Sequence, residues 1–185
     1  MTDKSDPIAQ HEDFSVASVR YKDGGYLGIS AMPGLTKNLE HDLDIISDWH
    51  ATVVVTMTTT HELQRAEVFD LERALETRGI EHLQIPVPNY DGLSGENALA
   101  WPAISLRLHD ILQASGRVLV HCRGGHGRSG MIVMRLLVEN GMAPQEALKT
   151  IRRVRPGAVE TQAQYLWAAT DDYDLDPATI KSWNA

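Results

Sequence analysis

Val118-Leu119-Val120-His121-Cys122-Arg123-Gly124-Gly125-His126-Gly127-Arg128-Ser129 is a short apolar run that enters a glycine-rich turn, and the apolar stretch from Ser129 to Asn140 follows it. The run reads as a strand and the stretch as a helix that Gly141 closes. A strand passing through glycines straight into a helix is a building unit of parallel α/β architecture. The rest of the chain repeats that alternation. Tyr26-Leu27-Gly28-Ile29-Ser30 follows the turn signal Asp23-Gly24-Gly25 and reads as a first strand. Leu39, Leu43, Ile46 and Trp49 fall at helical spacing. Thr52-Val53-Val54-Val55-Thr56-Met57 is too β-branched and continuous for a surface helix, so it is expected as a buried strand.

Val68, Leu71 and Leu75 mark a further helix ended by Gly79. Leu83 to Pro88 alternates like a strand, and its prolines put it at an edge or a strand end. Ile104, Leu108, Ile111 and Leu112 define a helix that either starts or is distorted at Pro102. Pro144 is placed as the first residue of a helix through Arg153, and Tyr165-Leu166-Trp167 belongs to a last one. The expectation is a single α/β domain over residues 21–172, with a mostly parallel central sheet and helices on both faces. Residues 1–20 are expected as a flexible N-terminal segment and 173–185 as a C-terminal tail.

The chain has 185 residues, 43% of them hydrophobic, which suits one domain with a real core. Its formal net charge of -8 argues against nucleic acid or an anionic membrane as partner, since both attract basic surfaces. One cysteine excludes an intramolecular disulfide and fits a reducing, cytoplasmic setting. No apolar run approaches the roughly 18–20 residues needed to span a bilayer, and Met1 to Pro7 lacks the apolar stretch of a signal peptide.

The Cys122 loop has the makings of an anion site. Gly124, Gly125 and Gly127 let the backbone curl so that successive N–H groups point inward. The following helix adds its positive end. Arg128 offers a planar fork to two oxygens of a phosphate, and Arg123 and His126 put two more basic side chains in the loop. A positive cradle favours the thiolate of Cys122, the form that attacks. Ser129 is read either as a donor to the Cys122 sulfur or as an ordinary helix N-cap. The histidines His11, His41, His50, His61, His82 and His109 show no metal-ligand spacing and are read as surface or helix-packing residues. Neither a metal nor another cofactor is expected.

The stretch from His121 to Ser129 matches the His-Cys-x5-Arg-Ser/Thr signature of the cysteine-based protein phosphatases. The chain as a whole resembles their small dual-specificity branch, above all the group of cyclin-dependent-kinase-associated phosphatases. Leu27 to Gly34 looks like that group's first strand and turn, and Arg155 to Tyr165 like its late loop and helix. The resemblance covers roughly residues 20 to 170. It implies a protein tyrosine phosphatase-like fold and a phosphocysteine intermediate on Cys122. The substrate would be a phosphorylated protein or a small phosphorylated molecule.

A leaving alkoxide or phenoxide needs a proton, and Asp91 in Pro88-Asn89-Tyr90-Asp91-Gly92 lies on a turn after a strand end. It lies upstream of Cys122 at about the distance the family uses for its acid, so the resemblance makes it general acid and then base. By the same resemblance His121 orients the loop, and Gln164 or Gln162 positions the attacking water. A solvated helix residue is the other reading of Gln164. Arg152, Arg153 and Arg155 are read as the usual solvated cations of a helix C-terminus in preference to a positive rim for substrate. Three rivals stand beside the phosphoprotein reading. Arg123 and His126 occupy positions that are basic in phosphoinositide phosphatases too. Rhodanese-like sulfurtransferases also cradle a cysteine at a strand–helix turn, although five residues separate Cys122 from Arg128 here and their loops are typically shorter. A non-catalytic phosphate-binding module is the third.

Overall fold

The computed structural model describes residues 13–22 and 24–170. His11 and the expected tail 173–185 lie outside them. The chain runs β1 (Ala17–Arg20), β2 (Tyr26–Ser30), α1 (Leu39–Asp48), β3 (Val53–Thr56), α2 (Thr60–Arg65) and α3 (Leu71–Glu76). It continues with β4 (Glu81–Gln84), α4 (Gly95–Gln113), β5 (Arg117–His121), α5 (Gly127–Glu139), α6 (Pro144–Val154) and α7 (Gln162–Ala169). The strands form one sheet in the order β1-β2-β5-β3-β4. β2, β5, β3 and β4 are parallel, and β1 pairs antiparallel with β2.

Period-two alternation divides the core. Val53, Val55, Val118 and Val120 point to one face, where they pack with buried residues of α4, α5, α6 and α7. Val54 and Leu119 point to the other, where Leu43 and Ile46 of α1 and Leu71 and Leu75 of α3 cover them. Both faces are dry, which is why β3 and β5 read as unbroken apolar runs. Each fully buried Val, Leu or Ile contributes about 1.5–3 kcal/mol, so the central strand is tightly fixed. That rigidity matters because β5 carries the loop.

Three elements differ from expectation. Ala17–Arg20, inside the segment expected to be flexible, is an edge strand in register with Tyr26–Ile29. Its polar Ser18 and Arg20 interrupt the apolar run that would have betrayed it. The helix expected around Val68 to Leu75 is α3, which begins only at Leu71, and α2 before Val68 was not expected. β4 sits two residues earlier than Leu83, and Pro86 and Pro88 follow it in extended chain at the sheet edge. Of the two readings of Pro102, the start of the helix is excluded: it lies inside α4, after seven helical residues from Gly95.

Candidate active site

β5 lies in the middle of the sheet, and its last residue, His121, registers with Ser30 on one side and Thr56 on the other. The loop that follows therefore opens at the carboxyl edge of the parallel strands, where α/β folds bind ligands. Gly125 permits the turn: its φ is +71°, and a Cβ there would stand 2.5 Å from the carbonyl of Ser30. Gly127 is equally confined. A Cβ on it would stand 2.2 Å from Oε2 of Glu160 and 2.9 Å from the Gln164 amide.

The loop is held from outside by its carbonyls. The N–H of Met32 donates to Arg123 O, and those of Gly130 and Val159 donate to His126 O. Arg155 donates from Nε to Gly125 O and from Nη2 to Gly124 O, both at 2.9 Å. By contrast, no backbone N–H from Arg123 to Arg128 donates a hydrogen bond among the described residues. Buried backbone donors are almost always satisfied, and Gly125, Gly127 and Arg128 are buried, so this run of free N–H groups beside a cysteine has the form of a nest that can take an anion.

Cys122 is buried, with its Sγ 3.4 Å from Oγ of Ser129. Ser129 is the third residue of α5 and not its N-cap, which is His126; its hydroxyl belongs to the sulfur. Arg128 is 2% exposed and is clamped end-on by Glu62, with Nη1–Oε2 at 2.8 Å and Nη2–Oε1 at 2.7 Å. Nη1 also donates to Val87 O at 2.8 Å. Nε of Arg128 is buried with no partner among the described residues. A guanidinium fork has two usable edges. Glu62 takes the Nη1/Nη2 edge, and Nε on the other edge has no acceptor among the described residues. Burial alone would raise the Glu62 carboxyl, but hydrogen bonds from Arg128 and Thr59 outweigh it and hold it at about 2.

His121 is wholly buried, and burial lowers it to about 4, so it is neutral near pH 7. Its Nε2 lies 2.7 Å from Oγ1 of Thr56, and that oxygen lies 2.9 Å from Nε2 of His82. Nδ1 faces the Cys122 carbonyl at 3.4 Å. The consistent proton assignment has Nδ1–H donating to that carbonyl, the Thr56 hydroxyl donating to Nε2 of His121, and His82 donating to Thr56. His82 is thereby joined to the loop and is not the surface or packing residue expected.

Asp91 is exposed on a turn closed by its own N–H to Pro88 O. The turn is pinned to the start of α7. Thr161 Oγ1 donates to Tyr90 O at 3.0 Å, and Nε2 of Gln164 donates to Asp91 O at 3.5 Å. Gln164 is fully buried, touches both this turn and Gly127, and accepts from the N–H of Glu160 at 2.9 Å. Gln162 is exposed. His126 points its Nδ1 at Pro156 O, 3.1 Å away. Arg152 and Arg155 are not solvated helix-end cations: Arg152 donates to Ala158 O and Val159 O, and Arg155 braces the loop. Glu62 and Thr56 escaped the sequence reading, and His82 and Arg155 were read there only as packing or solvated side chains. Thr59-x-x-Glu62 is a capping box, and that signal was available for placing Glu62 at a helix start.

Residues 30–166 match the family model described as Swiss Army Knife protein, DSP-PTPase phosphatase domain. The chain belongs to this family of dual-specificity and protein tyrosine phosphatase domains. Cyclin-dependent kinase inhibitor 3 of Mus musculus is 29% identical over 147 residues, covering 76% of this chain and 68% of that protein. Among solved structures, kinase associated phosphatase with its catalytic site cysteine replaced by serine has a TM-score of 0.75 at 21% identity. That likeness covers 86% of this chain and 94% of the other. PTPMT1 in complex with PI(5)P has a TM-score of 0.63 at 18% identity, covering 91% of this chain and 97% of the other. The enzyme class is that of the phosphoric monoester hydrolases. Among the described residues no helix is long and apolar enough to cross a membrane.

Proposed function

We propose that this protein hydrolyses phosphate monoesters through a covalent phosphocysteine on Cys122. The observation that carries the reading is the pair of donor sets around the thiol: the N–H groups of residues 123–128 and the Nε of Arg128, neither with an acceptor among the described residues. Together they suit three equatorial oxygens of a phosphoryl group in flight. Cys122 attacks phosphorus as thiolate, and the P–O bond breaks as Asp91 delivers a proton to the leaving oxygen. Asp91 then takes a proton from water, which attacks the same phosphorus. The S–P bond breaks, and Ser129 donates its hydroxyl hydrogen bond to the departing sulfur. Gln164 orients that water in this reading, which its position between Gly127 and the Asp91 turn supports. His121 holds the Cys122 carbonyl, and with it the loop.

A phosphorylated protein is the substrate we favour, supported by the names of the relatives, a kinase inhibitor and a kinase associated phosphatase. A reducing compartment such as the cytoplasm suits a single catalytic thiol. Para-nitrophenyl phosphate assays test the chemistry. Cys122→Ser is expected to abolish turnover while phosphate binding persists, and residual turnover at the native rate would remove Cys122 as nucleophile. Asp91→Asn is expected to slow alkyl phosphates more than para-nitrophenyl phosphate, whose leaving group needs no proton; equal slowing would count against Asp91 as the acid. A phosphoinositide or inositol phosphate is the second reading, favoured by Arg123, exposed and without a partner among the described residues, and by the ligand of PTPMT1. Release of phosphate from inositol phosphates well above that from phosphopeptides would establish it.

A further inference from the structure

Next to the loop, between the β2–α1 connection and α2, lies a cavity of about 270 Å³ lined by Leu35, Lys37, His61, Glu62, Arg65, Ala66 and Arg123. Its charge is out of keeping with a molecule of net charge -8. Lys37 pairs with Glu67, and Glu62 is neutralised by Arg128. Arg65, Arg123 and His61 are exposed and make no hydrogen bond or ion pair among the described residues. The cavity thus holds two uncompensated guanidinium groups and a histidine, with Leu35 and Ala66 as apolar wall. Clustered like charges repel, and surface arginines ordinarily find carboxylates in an acidic protein. Glu62, the one carboxylate among the lining residues, has both oxygens already engaged by Arg128 and Thr59.

We infer that this cavity is a second anion subsite that takes a non-reacting phosphate of a bisphosphorylated substrate while Cys122 acts on the first. The inference rests on the phosphatase reading of the loop, and the geometry joins the two sites through shared residues. Arg123 immediately follows Cys122, and Glu62 lies between the cavity and the Arg128 fork. Two arginine forks around a cavity of this size suit a phosphate better than a single carboxylate, since each fork matches two phosphate oxygens. Binding energy from that remote group holds the reacting phosphate in place over the thiol.

The test compares kcat/KM for paired substrates that differ only in the second phosphate, using the full chain. One pair is an inositol monophosphate and bisphosphate; the other is a peptide with one or two phosphorylated side chains. In the native protein, the bisphosphate of at least one pair is expected to be preferred about tenfold, the worth of one charge-assisted hydrogen bond. The pair that shows it identifies the source of the second phosphate. The double variant Lys37→Ala/Arg65→Ala is expected to bring that ratio to near one through KM, with kcat moving little. A ratio near one in the native protein for both pairs, or a preference that survives in the variant, would overturn the subsite. Turnover of para-nitrophenyl phosphate separates the two readings. If it is present without a bisphosphate preference, only the subsite fails. If it is absent, calorimetric binding of the bisphosphates that the double variant loses keeps the subsite and removes the phosphatase.

Discussion

A single carboxylate decides how Arg128 is used. Glu62 grips the end of the guanidinium, with Val87 O behind it, so the fork cannot swing and its remaining edge is fixed in place. Glu62→Gln keeps the size and loses the charge, leaving a buried guanidinium with weaker partners. Charge-assisted hydrogen bonds are worth about 1.5–3 kcal/mol, so an order of 2 kcal/mol of stability should go, or roughly 4–8 °C in melting temperature. Turnover of para-nitrophenyl phosphate should fall by about tenfold or more, because the Nε edge is no longer held. A variant that melts lower yet turns over at the native rate would show that Glu62 only supports the fold. At this scale the sequence was generous where chemistry is local and silent where it is not. Cys122, Arg128 and Ser129 declare themselves in one stretch. Glu62 lies 66 positions from Arg128, and no spacing rule connects residues that meet only across a sheet.

The elements show the same division. α5 announces itself through a continuous apolar helix, and β3 through consecutive valines, because burial on both sides writes an uninterrupted run. α2 buries no residue, so hydrophobic periodicity could not reveal it, although its capping box was legible. β1 is four residues at an antiparallel edge, too short to show a period. The two helices flanking β5 are tied together at the end far from the loop. Glu139, the last residue of α5, accepts hydrogen bonds from Trp101 at 2.8 Å, from Ser105 and from Arg135 at 2.7 Å, and lies 3.0 Å from His109. Burial alone would raise this carboxyl; those bonds outweigh it and hold it at about 2. With α5 rising about 1.5 Å per residue, the cluster stands about 18 Å from Gly127. Glu139→Gln is therefore expected to lower stability by about 2–3 kcal/mol in urea titrations. At 25 °C its kcat should match the native protein. A loss of kcat equal to that of a loop variant would mean that α4 and α5 transmit strain to Cys122.

For the molecule as a whole, the charged groups set a stability that leans on pH. His121 titrates near 6.5 when unfolded and near 4 when folded. Between these values the unfolded chain binds a proton that the folded one refuses, so stability falls as pH drops through that window. Burial lowers His82 too, which adds to the same slope. Below about 4.5 Glu62 and Glu139 take over: both are depressed when folded, so the stability they give is present above the unfolded value and lost toward pH 2. Asp42 opposes them, since burial raises it despite the hydrogen bond from the Gly34 N–H. The expected result is a descent that begins near pH 6.5 and not near 4.5 as carboxylates alone would give. His121 alone should remove about 2 kcal/mol by pH 5. Urea titrations of the native protein and of His121→Gln at pH 7, 6 and 5 measure it. The variant, less stable at pH 7, should lose much less between pH 7 and 5 than the native protein loses. Parallel lines for the two proteins would place the upper slope on another group, His82 first, and His82→Gln would then be the variant that flattens it.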